Sequence, residues 1–246
     1  MLNEFEYLYN IYCDVSMFDA SGAMKPDAYQ RICVNVVERH LNAIELDVER
    51  LVAAYGVSWV LLGLTVQILR PFKPGETITA RTRHTNRKGA AYRRDIILCD
   101  ESGGTVALAA SFSSLLDINT RHICRDKTVN DKIDLPESEA LFEASSRFKP
   151  SLDDLSFVEA FSVRPSWIDS VGHVNNARYG EFTYDALTDK KRSSLKELKR
   201  LEIYFTGELT VGDGVVIKSL DNDSQTVIAG IRASDEKMAF AAKLEF

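Results

Sequence analysis

Apolar residues between positions 26 and 41 fall at helical steps: Tyr29, Ile32, Cys33, Val36, Val37 and Leu41 make one stripe behind Pro26. Proline suits the first turn of a helix, so the spacing predicts an amphipathic helix of about four turns. Ahead of it, residues 5–16 have strand character, and behind it a second helical piece at about 45–55 stops before Gly56. The period then changes. Strand-like runs follow at about 57–70, 75–86, 91–99 and 104–117, divided by turn signals such as Lys88-Gly89 and Ser102-Gly103-Gly104. Residues 118–156 are charged and contain Pro136, Ser145-Ser146, Pro150 and Ser151, the composition of a connection crossing the surface. After it the order restarts: strand at 157–165, helix at 175–187, strands at about 201–207, 214–221, 224–233 and 237–246. One helix and a row of strands, written twice, predict an α+β fold of two modules, 1–117 and 157–246, joined by 118–156. Each would be an antiparallel sheet wrapped around a central helix.

Residue matches support the repeat. Asp19-Ala-Ser-Gly22 reappears 150 positions later as Asp169-Ser-Val-Gly172, and Tyr29 and Tyr179 stand the same distance apart. A shift of 137 places Gly75-Glu76 on Gly212-Asp213, and Val66, Ile68 and Ile78 on Ile203, Phe205 and Val215. The thirteen residues lost between the two registers lie where the first copy has its extra helical piece. The copies differ in chemistry: His173, Asn175 and Asn176 stand where the first copy has Ala23, Lys25 and Pro26. One duplicated unit has kept the reactive side chains.

The block Asp169-x-x-Gly-His-Val-Asn-Asn-x-x-Tyr179 resembles the active-site loop of hot-dog-fold thioesterases, and the tandem arrangement resembles the acyl-acyl carrier protein (ACP) thioesterases of fatty-acid synthesis. In the first half the likeness includes Ser58-Trp59-Val60-Leu61, Ile68-Leu69-Arg70-Pro71 through Gly75-Glu76, and Asp100-Glu101-Ser102-Gly103. The resemblance implies a tandem hot-dog fold that hydrolyses acyl-ACP, with acyl-CoA as the alternative substrate and a non-catalytic acyl-thioester-binding protein as the rival from another class. A hot-dog dehydratase fits less well, because Ala23 stands where a histidine would be needed and Glu208 adds an acid.

Thioester hydrolysis needs a water, a base and donors for the oxyanion; the pantetheine thiol, with a pKa near about 8.5, leaves readily. Asp169 sits in a turn ahead of a helix, Gly172 permits an unusual backbone angle, and the free N–H groups at the helix start make an oxyanion site. His173 would polarise the carbonyl oxygen, and Asn175 or Asn176 would cap the helix. Glu208 stands where the first copy has Pro71, and the resemblance makes it a partner of the loop as general base or orienter of water. The family pattern reads Asp-x-Asn-x-His, whereas Val171 occupies the middle position here and cannot hydrogen-bond through its side chain. Leu209 likewise removes any cysteine nucleophile after the glutamate. Whether Asp169 acts as base or as nucleophile stays open.

By the same resemblance the first module holds the acyl chain, with Val36, Val37, Leu41, Trp59 and Leu61 as tunnel candidates. Net charge is −6, which argues against a general nucleic-acid binder. Against that acidic background stand two basic clusters, one including Arg87, Lys88, Arg93 and Arg94 and the other Lys190, Lys191 and Arg192, candidates for docking an acidic carrier protein. Cys13, Cys33, Cys99 and Cys124 form no Cys-x-x-Cys pair, and His122 with Cys124 lacks further ligands. They suit a cytoplasmic protein with reduced thiols. The expectation is no cofactor beyond the substrate's pantetheine arm, no signal peptide and no membrane insertion. Two copies in one chain can satisfy each other, so monomer and homodimer both fit.

Overall fold

Ten strands join edge to edge into one antiparallel sheet in the computed structural model, which describes residues 7–133 and 135–246. The first five are β1 Tyr7–Tyr12, β2 Val57–Ile68, β3 Thr77–Lys88, β4 Ala91–Cys99 and β5 Thr105–Asp117. The second five are β6 Ser156–Ser162, β7 Arg200–Phe205, β8 Gly214–Asp221, β9 Gln225–Arg232 and β10 Lys237–Glu245. Their order, β1-β3-β4-β5-β2-β7-β10-β9-β8-β6, places the two copies as mirror sequences about the β2–β7 pair. There Gly63 faces Tyr204 and Gln67 faces Arg200.

The helices are α1 Pro26–Ala43, α2 Val48–Tyr55, α3 Lys127–Ile133, α4 Asn176–Asp185 and α5 Asp189–Ser193. Pro26 opens α1 as the sequence predicts. Asp47 caps α2 by accepting from the Arg50 N–H at 3.2 Å, and Gly56 ends it in the left-handed region at φ 64°. α3 lies inside the connection, and α5 follows α4 where the sequence pattern predicts no helix. The long helices α1 and α4 share the inner face of the sheet and pack on each other. At their crossing a Cβ on Gly180 would stand 2.6 Å from the Asp27 Cα, so only glycine permits that approach. A continuous apolar core runs under both, from Ile32, Val36, Ile96 and Leu98 in the first copy to Phe182, Ile203, Ile228 and Phe240 in the second.

Both sequence registers have a structural meaning. The Cys13 N–H donates to the Glu76 carbonyl at 2.9 Å and the Val163 N–H to the Asp213 carbonyl at 2.9 Å, tying the shift of 150 to the shift of 137. Lys73 N–H bonds Glu76 Oε1 at 2.7 Å where Thr210 N–H bonds Asp213 Oδ2 at 2.8 Å. Among the described residues no helix is long and apolar enough to cross a membrane.

Candidate active site

Two short loops, each following a single 3₁₀ turn, lead into α1 and α4. In the second, Asp169 N–H bonds the His173 carbonyl at 3.0 Å and Gly172 N–H bonds the Asp169 carbonyl at 3.1 Å. Gly172 adopts φ 86°, a conformation a side chain resists, so the tight reversal depends on it. Asn175 N–H then reaches back to the Trp167 carbonyl at 2.9 Å, and Val174 N–H is held by the Leu209 carbonyl at 2.8 Å. That last bond fastens the loop to the segment after β7, which carries Glu208.

The arrangement brings His173 and Glu208 together: His173 Nε2 lies 3.2 Å from Glu208 Oε2. The same carboxylate receives a guanidinium from Arg121, which reaches both of its oxygens. Arg121 comes from the turn after β5, on the connection, and holds φ 58°. Asp117 shapes that turn, its carboxylate accepting the N–H groups of Asn119 at 3.0 Å and Thr120 at 2.8 Å.

Asn175 caps α4, its Oδ1 accepting the Ala177 N–H at 3.0 Å. Asn176 begins the helix, and its carbonyl accepts from the Gln30 side chain of α1. Among the described residues the Asn176 N–H has no acceptor. Asp169 accepts one hydrogen bond among the described residues, from the Val171 N–H at 3.0 Å, and Val171 itself points to solvent, 64 % exposed. The side chain at the position of the family asparagine therefore reaches nothing in the site.

Across the loop stands a group that sequence reasoning missed. Glu38 of α1 still meets solvent, yet partial burial and then the neighbouring Asp169 carboxylate push its carboxyl above the ordinary range. Glu38 and Asn176 line one cavity of about 360 Å³ between α1, α2, β2 and β5. Val37, Leu41, Trp59 and Leu61 line it as well, four of the five tunnel candidates. Val36 does not. One residue turns a helix by 100°, which aims Val36 at the sheet, where it is fully buried in the core.

The basic clusters need a larger correction. Arg93 is buried, with Nε on Asp95 at 2.7 Å and a terminal nitrogen on the Phe142 carbonyl at 2.7 Å. Arg94, buried on the opposite face, meets His40 Nδ1 at 2.8 Å. Strand alternation sends the two inward and outward, and both faces are covered, by α1 and by the connection. Lys191 is buried too, on the Asp223 carbonyl at 3.1 Å and over the Phe246 ring. These three cannot meet a partner. Lys190 is exposed, and Arg192 folds back onto Asp189 and the Leu187 carbonyl. Arg87 and Lys88 instead line a groove of about 1210 Å³ with Arg125, Lys127, Arg147, Lys149 and Lys237. Phe205, Thr206 and Ile123, within three residues of Glu208 or Arg121, line the same groove. Among the described residues no three His, Cys, Asp or Glu side chains converge as a metal site.

The Acyl-ACP thioesterase N-terminal domain family matches residues 3–133, and the Acyl-ACP thioesterase C-terminal domain family matches residues 151–244. No curated protein matches the chain by sequence. Among solved structures, an acyl-ACP thioesterase from Bacteroides thetaiotaomicron superimposes with a TM-score of 0.85 at 20% identity, covering 100% of both chains. A 12:0-ACP thioesterase from Umbellularia californica superimposes with a TM-score of 0.84 at 14% identity, covering 100% of this chain and 98% of that one. At such identities the likeness speaks for the shared fold, while the domain matches span nearly all of the sequence; the chain belongs to the acyl-ACP thioesterase family of thioester hydrolases, built as a tandem hot-dog.

Proposed function

We propose that the second module hydrolyses fatty acyl-ACP at Asp169, releasing a free fatty acid and the carrier-protein thiol in fatty-acid biosynthesis in the cytoplasm, with no cofactor beyond the substrate's pantetheine arm. The observation that supports this reading is that the Asp169 carboxylate, in the loop ahead of α4, lies close enough to Glu38 to raise its carboxyl, while Glu38 and Asn176 both line the first-module cavity. The acyl chain enters the cavity along Val37, Leu41, Trp59 and Leu61. Its thioester carbonyl then lies by Asn176, whose N–H stabilises the developing oxyanion. Asp169 takes a proton from water as the water oxygen bonds to the carbonyl carbon. The tetrahedral intermediate collapses by breaking the C–S bond, and the thiolate leaves to be protonated. Glu208, engaged by Arg121 and His173, orients the imidazole rather than carrying the proton.

The carrier docks along the basic groove of Arg87, Lys88, Arg125, Lys127, Arg147 and Lys149, whose sign suits an acidic partner and the phosphate of the pantetheine arm. Thiol release from matched acyl-ACP and acyl-CoA thioesters, for wild type and for Asp169→Asn and Glu208→Gln, tests the reading. Turnover of the ACP substrates that Asp169→Asn nearly abolishes and Glu208→Gln clearly lowers, with folding intact, supports it. Preference for CoA moves the substrate, and binding without turnover makes the protein an acyl-thioester carrier.

A further inference from the structure

An alkyl chain asks only for an apolar wall, yet the floor of the first-module cavity is not apolar. β5 contributes Ser111 and Ser113, successive inward-facing positions, between Trp59 and Leu61 of β2 and the helix α1. Ser111 is 3% exposed, and among the described residues its hydroxyl has no partner. A buried hydroxyl without a hydrogen bond is costly, and a core of this kind would normally carry alanine there.

Ser111 belongs to a polar rung. It faces Leu64 of β2 on one side and Arg94 of β4 on the other, and Arg94 faces His84 of β3. Side chains directly opposite in antiparallel strands stand about 5 Å apart at Cβ, on the same face of the sheet. Arg94 is 5% exposed, and among the described residues no carboxylate reaches it; its bond is to the imidazole of His40, which is itself wholly buried. Burial pushes the Arg94 guanidinium down to about 10, as expected of a cation without a counter-charge. The second module treats the same place differently. Leu244 faces Leu201 as Ser111 faces Leu64, and Phe246 follows where Ser113 would stand. The polar rung is therefore a property of the cavity-bearing copy and not of the fold.

We propose that this cavity accepts acyl chains carrying an oxygen substituent, a hydroxyl or an oxo group, which hydrogen-bonds Ser111 with the Arg94 guanidinium behind it. The inference rests on the thioesterase reading for the direction in which the chain enters. A substituted chain supplies the missing partner of Ser111, whereas a plain chain leaves the hydroxyl unpaired, an asymmetry from which sites gain most of their selectivity. The cavity is near the lower end of the size range of ligand pockets, about 300–1,000 Å³, so position along the chain should matter as well as chemistry.

The test uses the full chain and two series of ligands, saturated and hydroxylated, with the hydroxyl moved along the chain. One series is acyl-pantetheine amides, which cannot be hydrolysed, with binding read from the fluorescence of Trp59 in the cavity wall. The other is the matching acyl-ACP thioesters, read as thiol release. We expect one hydroxyl position to bind about tenfold tighter than the plain chain, and the ratio to fall to near one in Ser111→Ala. Equal binding of both chains by wild type at every position, or a preference that survives Ser111→Ala, overturns the proposal. A binding preference without any turnover upholds it while sinking the thioesterase reading; turnover without a binding preference does the reverse.

Discussion

Asp19 and Asp169 sit in loops drawn by matching backbone bonds. Asp19 N–H to the Ala23 carbonyl at 2.9 Å repeats Asp169 to His173, Gly22 to Asp19 repeats Gly172 to Asp169, and Lys25 to Met17 repeats Asn175 to Trp167. Gly22 at φ 77° matches Gly172 at φ 86°. The carboxylates fare differently. Asp19 accepts from Ser21 N–H at 2.8 Å, Ser21 hydroxyl at 2.7 Å and Ala23 N–H at 3.0 Å, and these bonds hold its carboxyl below the ordinary range despite partial burial. Among the described residues Asp169 has one such bond, and its charge acts on the nearby Glu38 carboxyl. The loop backbone is thus a reusable frame, and what separates a structural aspartate from a candidate base is how many donors already hold it.

The sharpest way to break this contrast is to neutralise each aspartate in turn. Asp169→Asn should lower kcat/KM for acyl-ACP about a thousandfold while leaving the thermal midpoint near wild type. Asp19→Asn should do the opposite, keeping turnover and lowering stability by about 1 kcal/mol through weakened loop bonds. Equal loss of activity in both would mean that the two loops are one functional unit.

Glu208 marks the second difference, since the first copy has Pro71 there and Arg70 beside it pairs with Glu76 at 2.9 Å. Glu208→Gln keeps the shape but loosens its hold on both His173 and Arg121, and should cost about a hundredfold in kcat with little change in KM. Arg121→Met should fall short of that, because the imidazole contact at 3.2 Å survives it. If Arg121→Met proves the more damaging, the guanidinium touches substrate.

The interiors of the two modules also part company. α4 buries Ala177, Tyr179, Gly180, Phe182 and Thr183, none of which titrates near neutrality, whereas α1 buries His40 against Arg94, His84 and the ring of Tyr7. Burial, then Arg94 and His84, lowers the His40 pKa to about 4. Between that value and the unfolded value near about 6.5, the unfolded chain binds a proton that the folded one refuses. The contribution of neutral His40 is therefore complete above the unfolded value and disappears as pH falls toward 4, a loss of up to about 3 kcal/mol. Urea midpoints at pH 7.5, 6 and 5 should fall accordingly, and His40→Asn should flatten the slope. An unchanged slope would assign the acid sensitivity to carboxylates instead.

How much of this was legible beforehand follows the same division. Period and alternation locate both long helices and all ten strands, because most of them bury a continuous face that the sequence pattern records. The loop residues were readable because the first copy served as an internal control: Ala23 beside His173 is a chemical statement that one copy alone could not make. Arg121 and Glu38 were not readable. Glu38 belongs to the first copy and Arg121 to the connection, and they meet the loop only after the modules dock, across a long stretch of chain that local spacing does not describe. Arg93 and Arg94 mislead in the other direction, since charge in a strand reads as surface while alternation buries both faces here.

Val171 offers the smallest and most specific intervention, because it is the counterpart of Ser21 at the shift of 150. Its side chain is exposed and packs against nothing that would resist replacement. Val171→Ser should place a hydroxyl beside Asp169 in the geometry that Ser21 has toward Asp19, adding a second donor to the carboxylate. A carboxylate held by that hydroxyl is a weaker base toward water, so kcat should drop about threefold to tenfold while the thermal midpoint holds or rises slightly. Val171→Thr should act in the same direction and Val171→Ala should change little, which separates the hydroxyl from the loss of bulk. A rise in kcat with Val171→Ser would mean that a polar group at this position helps hold the water, as the asparagine of the family pattern suggests, and the contrast between the two loops would then rest on His173 and Glu208 rather than on how firmly each aspartate is bound.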